Sequence, residues 1–216
     1  MLVLCDGMGG HQAGEIASQF VTYELQKRFE EENLIEINRA ESWLRSNIKE
    51  INFQLYNYAQ ENEEYRGMGT TLVCAIIYDK QVVVANVGDS RAYVINQRQM
   101  DQITSDHSFV NHLVMTGQIT KDEAFHHPQR NIITKVMGTD KRVSPDLFIK
   151  ITHFYDYLLL NSDGLTDYVR DYEIQELLSS NSSLDVHGNE LLDLALAHDS
   201  KDNVSFILLK FEGDKV

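Results

Sequence analysis

Thr70-Thr71-Leu72-Val73-Cys74-Ala75-Ile76-Ile77-Tyr78, the turn Asp79-Lys80-Gln81 and Val82-Val83-Val84-Ala85-Asn86-Val87 form the stretch that decides the fold. Both apolar runs are rich in β-branched residues, which suit a pleated, half-buried surface, and the polar triplet between them marks a short connection. A third run, Ala92 to Ile95, leads through Asn96-Gln97-Arg98-Gln99 to Met100. The pattern predicts an antiparallel meander with short loops. Upstream the period changes. Ile16, Phe20, Val21, Leu25 and Phe29 recur at helical spacing within a helix expected over Ala13–Glu32. Leu44, Ile48, Ile51, Leu55 and Tyr58 do the same over Ala40–Gln60, and the polar residues Glu61–Gly69 connect that helix to the meander. Further upstream, Leu2-Val3-Leu4-Cys5 reads as a buried strand stopped by the glycine-rich turn Asp6-Gly7-Met8-Gly9-Gly10.

Downstream of the meander the segment Ser105–Gly138 is polar, His-rich and expected to hold short helices. Thr120 and Glu123 have capping-box spacing, and Pro128 ends what precedes it. A segment of this length between strands is expected to be a functional flap rather than a plain connector. Strands are expected at Leu147–Ile151 and Tyr157–Asn161, helices at Tyr172–Leu178 and Glu190–Ala197, and a closing strand at Val204–Lys210. Helices on both sides of the strand set imply two layers of sheet flanked by helices, an α+β arrangement. With no repeats, no low-complexity tract and two prolines, residues 1–216 are expected to form one domain.

The chain carries 19 Lys+Arg against 33 Asp+Glu, a net charge of −14. That excess argues against nucleic acid or an anionic membrane as partner and is compatible with binding cations. Cys5 and Cys74 sit in apolar runs with no CxxC spacing, as buried thiols in a reducing compartment would. No apolar stretch approaches the ~20 residues that span a bilayer. Cytoplasmic localisation is expected.

Four aspartates share one context. Asp6, Asp89 and Asp163 each end a buried strand and Asp202 precedes one; the first three stand beside glycine. Strand-end loops are where a rigid scaffold holds functional groups. A single Asp-Gly pair is ordinary turn chemistry. Four carboxylates gathered at one end of a core would repel one another and raise their own pKa values, and a divalent cation relieves that. An all-oxygen ligand set points to Mg²⁺ or Mn²⁺ rather than Zn²⁺.

Asp6-Gly7-Met8-Gly9-Gly10-His11, followed by Gly14-Glu15 and Ala17-Ser18, resembles the signature loop of the metal-dependent protein phosphatases, the type 2C serine/threonine phosphatases in their bacterial branch. The likeness continues in order through Gly69-Thr70-Thr71, Gly88-Asp89-Ser90-Arg91-Ala92-Tyr93, Thr104-Ser105-Asp106-His107-Ser108, Ser162-Asp163-Gly164-Leu165-Thr166-Asp167 and Asp202-Asn203-Val204. It implies an αββα sandwich of two antiparallel sheets, with Ser105–Gly138 as a flap beside the cleft. It implies that Asp6 bridges two metal ions with help from the Gly7 carbonyl. Asp163 and Asp202 would complete the second ion, and Asp89 with Asp163 would hold a third, weaker one. The implied reaction is hydrolysis of phosphoserine and phosphothreonine by metal-activated water, with His11 as candidate general acid. Other residues carry blander expectations. Asp89 could instead pair with Arg91 in a tight turn. Arg91 reads as structural, Met8 and Met68 as packing residues, and His107, His112, His126 and His127 as solvated loop histidines. The resemblance implies phosphoproteins and a cognate serine/threonine kinase as partners of a monomer, and it assigns no substrate-binding residue. The family's usual start, with a phosphate-gripping Arg and an Asp for the first metal, has no counterpart before Asp6. The chain is therefore expected to begin at an internal Met of a longer phosphatase. The alternative is a catalytically impaired phosphatase-like binding module.

Overall fold

Leu72, Cys74 and Ile76 face one way from their strand and Val73 and Ala75 the other, and all five are buried. The same holds for Val83, Ala85 and Val87 against Val82 and Val84. Side chains alternate across a strand, so apolar residues at nearly every position mean that both faces are covered. The computed structural model, which describes residues 1–9, 11–32 and 34–211, shows what covers them.

In chain order the elements are β1 (Leu2–Leu4), β2 (Gly7–Met8), α1 (His11–Glu31), α2 (Ile37–Glu61), β3 (Gly69–Thr70), β4 (Leu72–Ile77), β5 (Gln81–Val87), β6 (Arg91–Ile95) and β7 (Met100–Gln102). Then come α3 (Phe109–Met115), α4 (Lys121–Phe125), β8 (Asp146–Ile151), β9 (Tyr157–Asn161), α5 (Asp163–Thr166), α6 (Asp171–Leu178), α7 (Leu184–Ala197) and β10 (Phe206–Lys210). One antiparallel sheet has the order β1-β4-β5-β8 and the other β10-β9-β6-β7; β2 and β3 form a small ribbon of their own. Between the two sheets lie Leu4, Val73, Ala75, Val82, Val84, Ala92, Val94, Leu158 and Leu160. Helices α1 and α2 cover the outer face of the first sheet through Ala17, Val21, Leu25, Leu44, Ile48, Ile51 and Leu55. Helices α6 and α7 cover the second through Ile174, Leu178, Leu191 and Ala195, against Tyr93 and Leu159. This is the αββα sandwich that the sequence led us to expect.

The meander is corrected. β4 and β5 pair with each other, but β6 leaves for the second sheet and pairs with β9 and β7. The departure point is Gly88, at φ +110°, a backbone conformation that L side chains rarely adopt. A Cβ there would stand 2.7 Å from the Thr71 methyl group. Helix α7 starts well before Glu190, because the Ser183 hydroxyl caps it by accepting the Val186 N–H at 3.4 Å. β10 starts at Phe206 rather than Val204. The Ser205 backbone bonds Ser162 instead of a strand neighbour: its N–H donates to Ser162 Oγ and its carbonyl accepts the Ser162 N–H. Met68 is fully buried, whereas Met8, expected to pack, is 39% exposed on the small β2–β3 ribbon outside the sandwich. Cys5 and Cys74 are free thiols whose pKa burial pushes up to about 12. Among the described residues no helix is long and apolar enough to cross a membrane.

Truncating the inter-sheet core should be costly, because both sheets must close over any void. Leu160→Ala is expected to lower unfolding free energy by about 2–5 kcal/mol in a denaturant titration. Ile149→Ala, at a side chain 54% exposed, should fall within about 0.5 kcal/mol of the parent.

Candidate active site

Four strand ends meet at one mouth of the sandwich. Asp6 leaves β1 beside the start of β4 and is fixed there by its backbone. Its N–H donates to Thr71 Oγ1 at 2.9 Å, and its carbonyl accepts from the Thr71 N–H and from Thr70 Oγ1, both at 2.8 Å. Thr71 Oγ1 also lies 2.7 Å from Ser90 Oγ. One threonine therefore ties the Asp6 loop to the Gly88–Ser90 turn that carries Asp89. On the second sheet Asp163 opens α5 straight after β9. The next residue, Gly164, packs so closely on the 202–204 loop that a Cβ would stand 2.2 Å from the Asn203 carbonyl oxygen. Ser200 Oγ donates to the Gly164 carbonyl at 2.8 Å and Ser162 Oγ to the Asn203 carbonyl at 3.2 Å. These contacts hold the Asp202 loop against α5, and one Asp202 oxygen accepts the Asn203 N–H at 2.7 Å.

The electrostatics follow from the crowding. Burial raises the pKa of Asp163 to about 8, and the charges of Asp89, Asp6, Asp167 and Asp202 push in the same direction. Burial also raises Asp89 to about 7, with Asp106 as the next contributor. Asp6 is raised by burial and then by Asp202, and a hydrogen bond with the Asp163 side chain offsets part of this. One oxygen of Asp163, Oδ1, is buried without a hydrogen-bond partner. A carboxylate oxygen in that condition is costly unless a cation or proton meets it. Among the described residues no group of three or more His, Cys, Asp and Glu side chains is arranged to hold one ion alone. This donor set suits a hard cation such as Mg²⁺, which keeps several waters and takes only one or two carboxylates. The residues therefore fit a divalent cation bound through oxygen.

The structure brings Asp6, Asp89 and Asp163 together, with the Asp202 charge acting on Asp6 and Asp163. Gly7 pairs with Thr70 in the small ribbon beside Asp6. His11 is the first residue of α1, and its side chain lies outside the described residues. The alternative pairing of Asp89 with Arg91 is not made. Arg91 instead holds Asp106 through Nε at 2.9 Å and Nη2 at 2.7 Å, and donates to the Tyr93 hydroxyl at 3.0 Å. His107 is no solvated loop residue. Its Nδ1 accepts the Gly88 N–H at 2.9 Å, and its Nε2 lies 3.1 Å from Asp146. The ring braces the turn that carries Asp89, and burial lowers its pKa.

Sequence reasoning assigned no role to Asp167, which burial raises and the Arg130 guanidinium lowers. Its spacing from Asp163, i to i+4 across the single turn of α5, was the available signal. A cavity of about 600 Å³ opens beside these residues, between α3–α4 and α5–α6. Asp89, Asp163, Asp167, Arg130 and Arg170 are among the residues that line it. Arg130 pairs with Asp167 at 3.2 Å. Arg170 stacks 3.6 Å from the Phe125 ring centroid and pairs with Asp122 at 2.8 Å, clasping α4 to the start of α6.

The raised carboxyls fix the sign of a pH dependence. Asp89 and Asp163 hold protons in the folded chain that the unfolded chain has released, so stability is lost as pH rises from the ordinary 3.8 toward about 7 and 8. In EDTA the melting temperature should fall between about pH 5 and pH 8, and Asp163→Asn should flatten that fall. An unchanged slope in the variant would contradict the assignment.

A family model described as Protein phosphatase 2C matches residues 1–113. Serine/threonine phosphatase stp of Listeria welshimeri is 39% identical over 97% of this chain and 84% of that protein. The crystal structure of the serine/threonine phosphatase Stp1 from Staphylococcus aureus superposes with a TM-score of 0.96 at 73% identity, covering 98% of this chain and 83% of that one. The catalytic domain of the serine threonine protein phosphatase PstP, in complex with two manganese ions, superposes at 0.82 with 31% identity, covering 95% and 85%. Family motifs in order, the sandwich that carries them and these likenesses agree: the chain belongs to the protein phosphatase 2C family.

Proposed function

We propose that Asp6, the Gly7 carbonyl, Asp163 and Asp202 hold the divalent cations with which this chain hydrolyses phosphoserine and phosphothreonine in proteins, and that Asp89 with Asp163 holds a further, weaker one. The chain is a metal-dependent protein serine/threonine phosphatase of the 2C family. The observation that carries the site assignment is the buried, unpartnered Oδ1 of Asp163 amid carboxyls that raise one another. Bound divalent cations would supply the activated water and neutralise charge developing on phosphorus in an in-line displacement. Manganese or magnesium suits the all-oxygen donors.

The chain's own residues do the positioning. Thr70 and Thr71 fix the Asp6 backbone, which would hold its carboxylate in place toward a bound cation. Ser162, Ser200 and Gly164 clamp the Asp202 loop onto α5 and set the spacing of Asp163 and Asp202. His11, at the start of α1, is the proposed proton donor to the leaving serine or threonine oxygen. Residues 1–216 act as one domain in this reading, and 105–138 is its flap, clasped by Arg170 over the cleft. The reading also makes the protein a cytoplasmic monomer that opposes a serine/threonine kinase on shared phosphoprotein substrates, with no nucleic-acid or membrane partner.

Hydrolysis of a phosphothreonine peptide should require added Mn²⁺ or Mg²⁺. Asp163→Ala should lower kcat/KM on the order of a hundredfold or more, the scale for removing one preorganised electrostatic group. Turnover that persists in EDTA, or survives that substitution, refutes the metal mechanism. For the flap, Arg170→Ala should speed amide exchange across Lys121–Phe125 while leaving exchange in β5 unchanged.

A further inference from the structure

A second groove lies outside the acidic mouth, on the helix side of the first sheet. It encloses about 570 Å³ and is lined by Lys49, Phe53, Lys141, Arg142, Val143 and Ser144, with no carboxylate among them. Lys49 and Phe53 stand one turn apart on α2, and Phe53 is 42% exposed. The Lys141 ammonium sits 5.6 Å over the Phe53 ring. Arg28, Arg91, Arg130, Lys135, Lys150 and Arg170 are all engaged in ion pairs. Lys49, Lys141 and Arg142 make no ion pair among the described residues, as holds for other surface cations such as Lys27, Arg45 and Lys80; what distinguishes the three is that they gather on one groove of a chain with net charge −14. Three cations without an ion-pair partner, one of them over the Phe53 ring, are a local reversal of the protein's charge within the groove lining.

The groove is built rather than incidental. Fully buried Asn52 accepts the Gly138 N–H at 2.9 Å and donates to the Asp140 carbonyl at 2.9 Å, pinning the loop to α2. Val143 is buried in the α1–α2 core. The loop also runs between two points of the acidic mouth. Just before it, Met137 bridges to Thr70, whose hydroxyl holds Asp6. Just after it, Asp146 pairs in register with Asn86, close to the turn that carries Asp89. The loop that walls the groove is thus tied on either side to backbone that carries the mouth.

We propose that this groove docks an acidic segment of the phosphoprotein substrate, carboxylates meeting Lys49, Lys141 and Arg142 and an apolar or aromatic residue seating on Phe53. This deepens the phosphatase reading and rests on it for the identity of the bound protein. Charge complementarity selects the occupant. The contacts are exposed, so their effect is screened by salt and appears in KM rather than in kcat.

The test uses two readouts on the full chain. The first is fluorescence anisotropy, in EDTA, of a labelled unphosphorylated peptide of glutamates around one phenylalanine. It examines the groove without catalysis. The second is turnover of an acidic phosphothreonine peptide against a small aryl phosphate, which cannot reach the groove and so examines the phosphatase reading alone. Lys49→Gln with Arg142→Gln, and separately Phe53→Ala, should each weaken peptide binding about tenfold. They should raise KM for the acidic phosphopeptide similarly and leave aryl phosphate turnover unchanged. Wild-type binding should weaken with added salt. The proposal is overturned if the wild-type chain does not bind the acidic peptide, if both variants bind it as tightly, or if anionic vesicles or RNA are bound in its place.

Discussion

The carboxyls of Asp6, Asp89, Asp163 and Asp167 sit close together against their own repulsion, and the work of holding them there is done by the packed layers behind. Each is raised by its burial first; for Asp6, Asp89 and Asp163 neighbouring carboxylates add to the rise, while for Asp167 the Arg130 and Arg91 guanidiniums offset part of it. Left alone, such a cluster would spread or take up protons. It cannot spread, because Asp6 hangs from Thr70 and Thr71, and Asp163 sits on a helical turn pressed against Asn203. Protons and cations are thus the two ways to relieve the strain.

What makes the confinement possible is the double burial of the central strands. Every apolar residue of β4 or β5 packs either against α1 and α2 or against the second sheet, so the strands have little freedom to slide. Register is then strongly specified, since a slip of one residue would exchange the two faces. The positions of Asp6 and Asp89 follow from that register, and those of Asp163 and Asp202 from the β9–β10 pairing. Short polar links carry the precision the last step from strand end to carboxylate: Thr71 to Ser90, Ser162 to Asn203, His107 to Gly88.

Much of this was legible in the sequence. Alternating and continuous apolar runs gave the strands, helical spacing gave α1 and α2, and the Asp-Gly placements gave the acidic mouth. The illegible parts share a cause: each depends on a contact distant in sequence. Nothing local in Arg91-Ala92-Tyr93-Val94-Ile95 says that the strand leaves its neighbour for the other sheet. That is settled by pairing with β9, and locally only by Gly88. His107 looked like one loop histidine among several until Gly88 and Asp146 came to either side of it. Arg91 lies next to Asp89 but one strand pleat points it toward Asp106. Asp167 was visible in the motif, yet its approach to Asp163 needed the turn of α5 to be recognised as helical.

The excursion of β6 has a thermodynamic corollary. Following the chain, the backbone passes from the first sheet to the second after β5, returns at β8, and crosses again at β9. Neither sheet is a contiguous piece of polypeptide, so neither can open as an independent unit, and the molecule should unfold as one cooperative body. The acidic mouth lies on the crossing after β5 and at the end of the β9–β10 pair where β9 finishes and β10 begins. A cation bound there is therefore linked to the global equilibrium rather than to a local loop. Its binding free energy adds to the stability of the entire sandwich, rising with the logarithm of cation concentration over its dissociation constant.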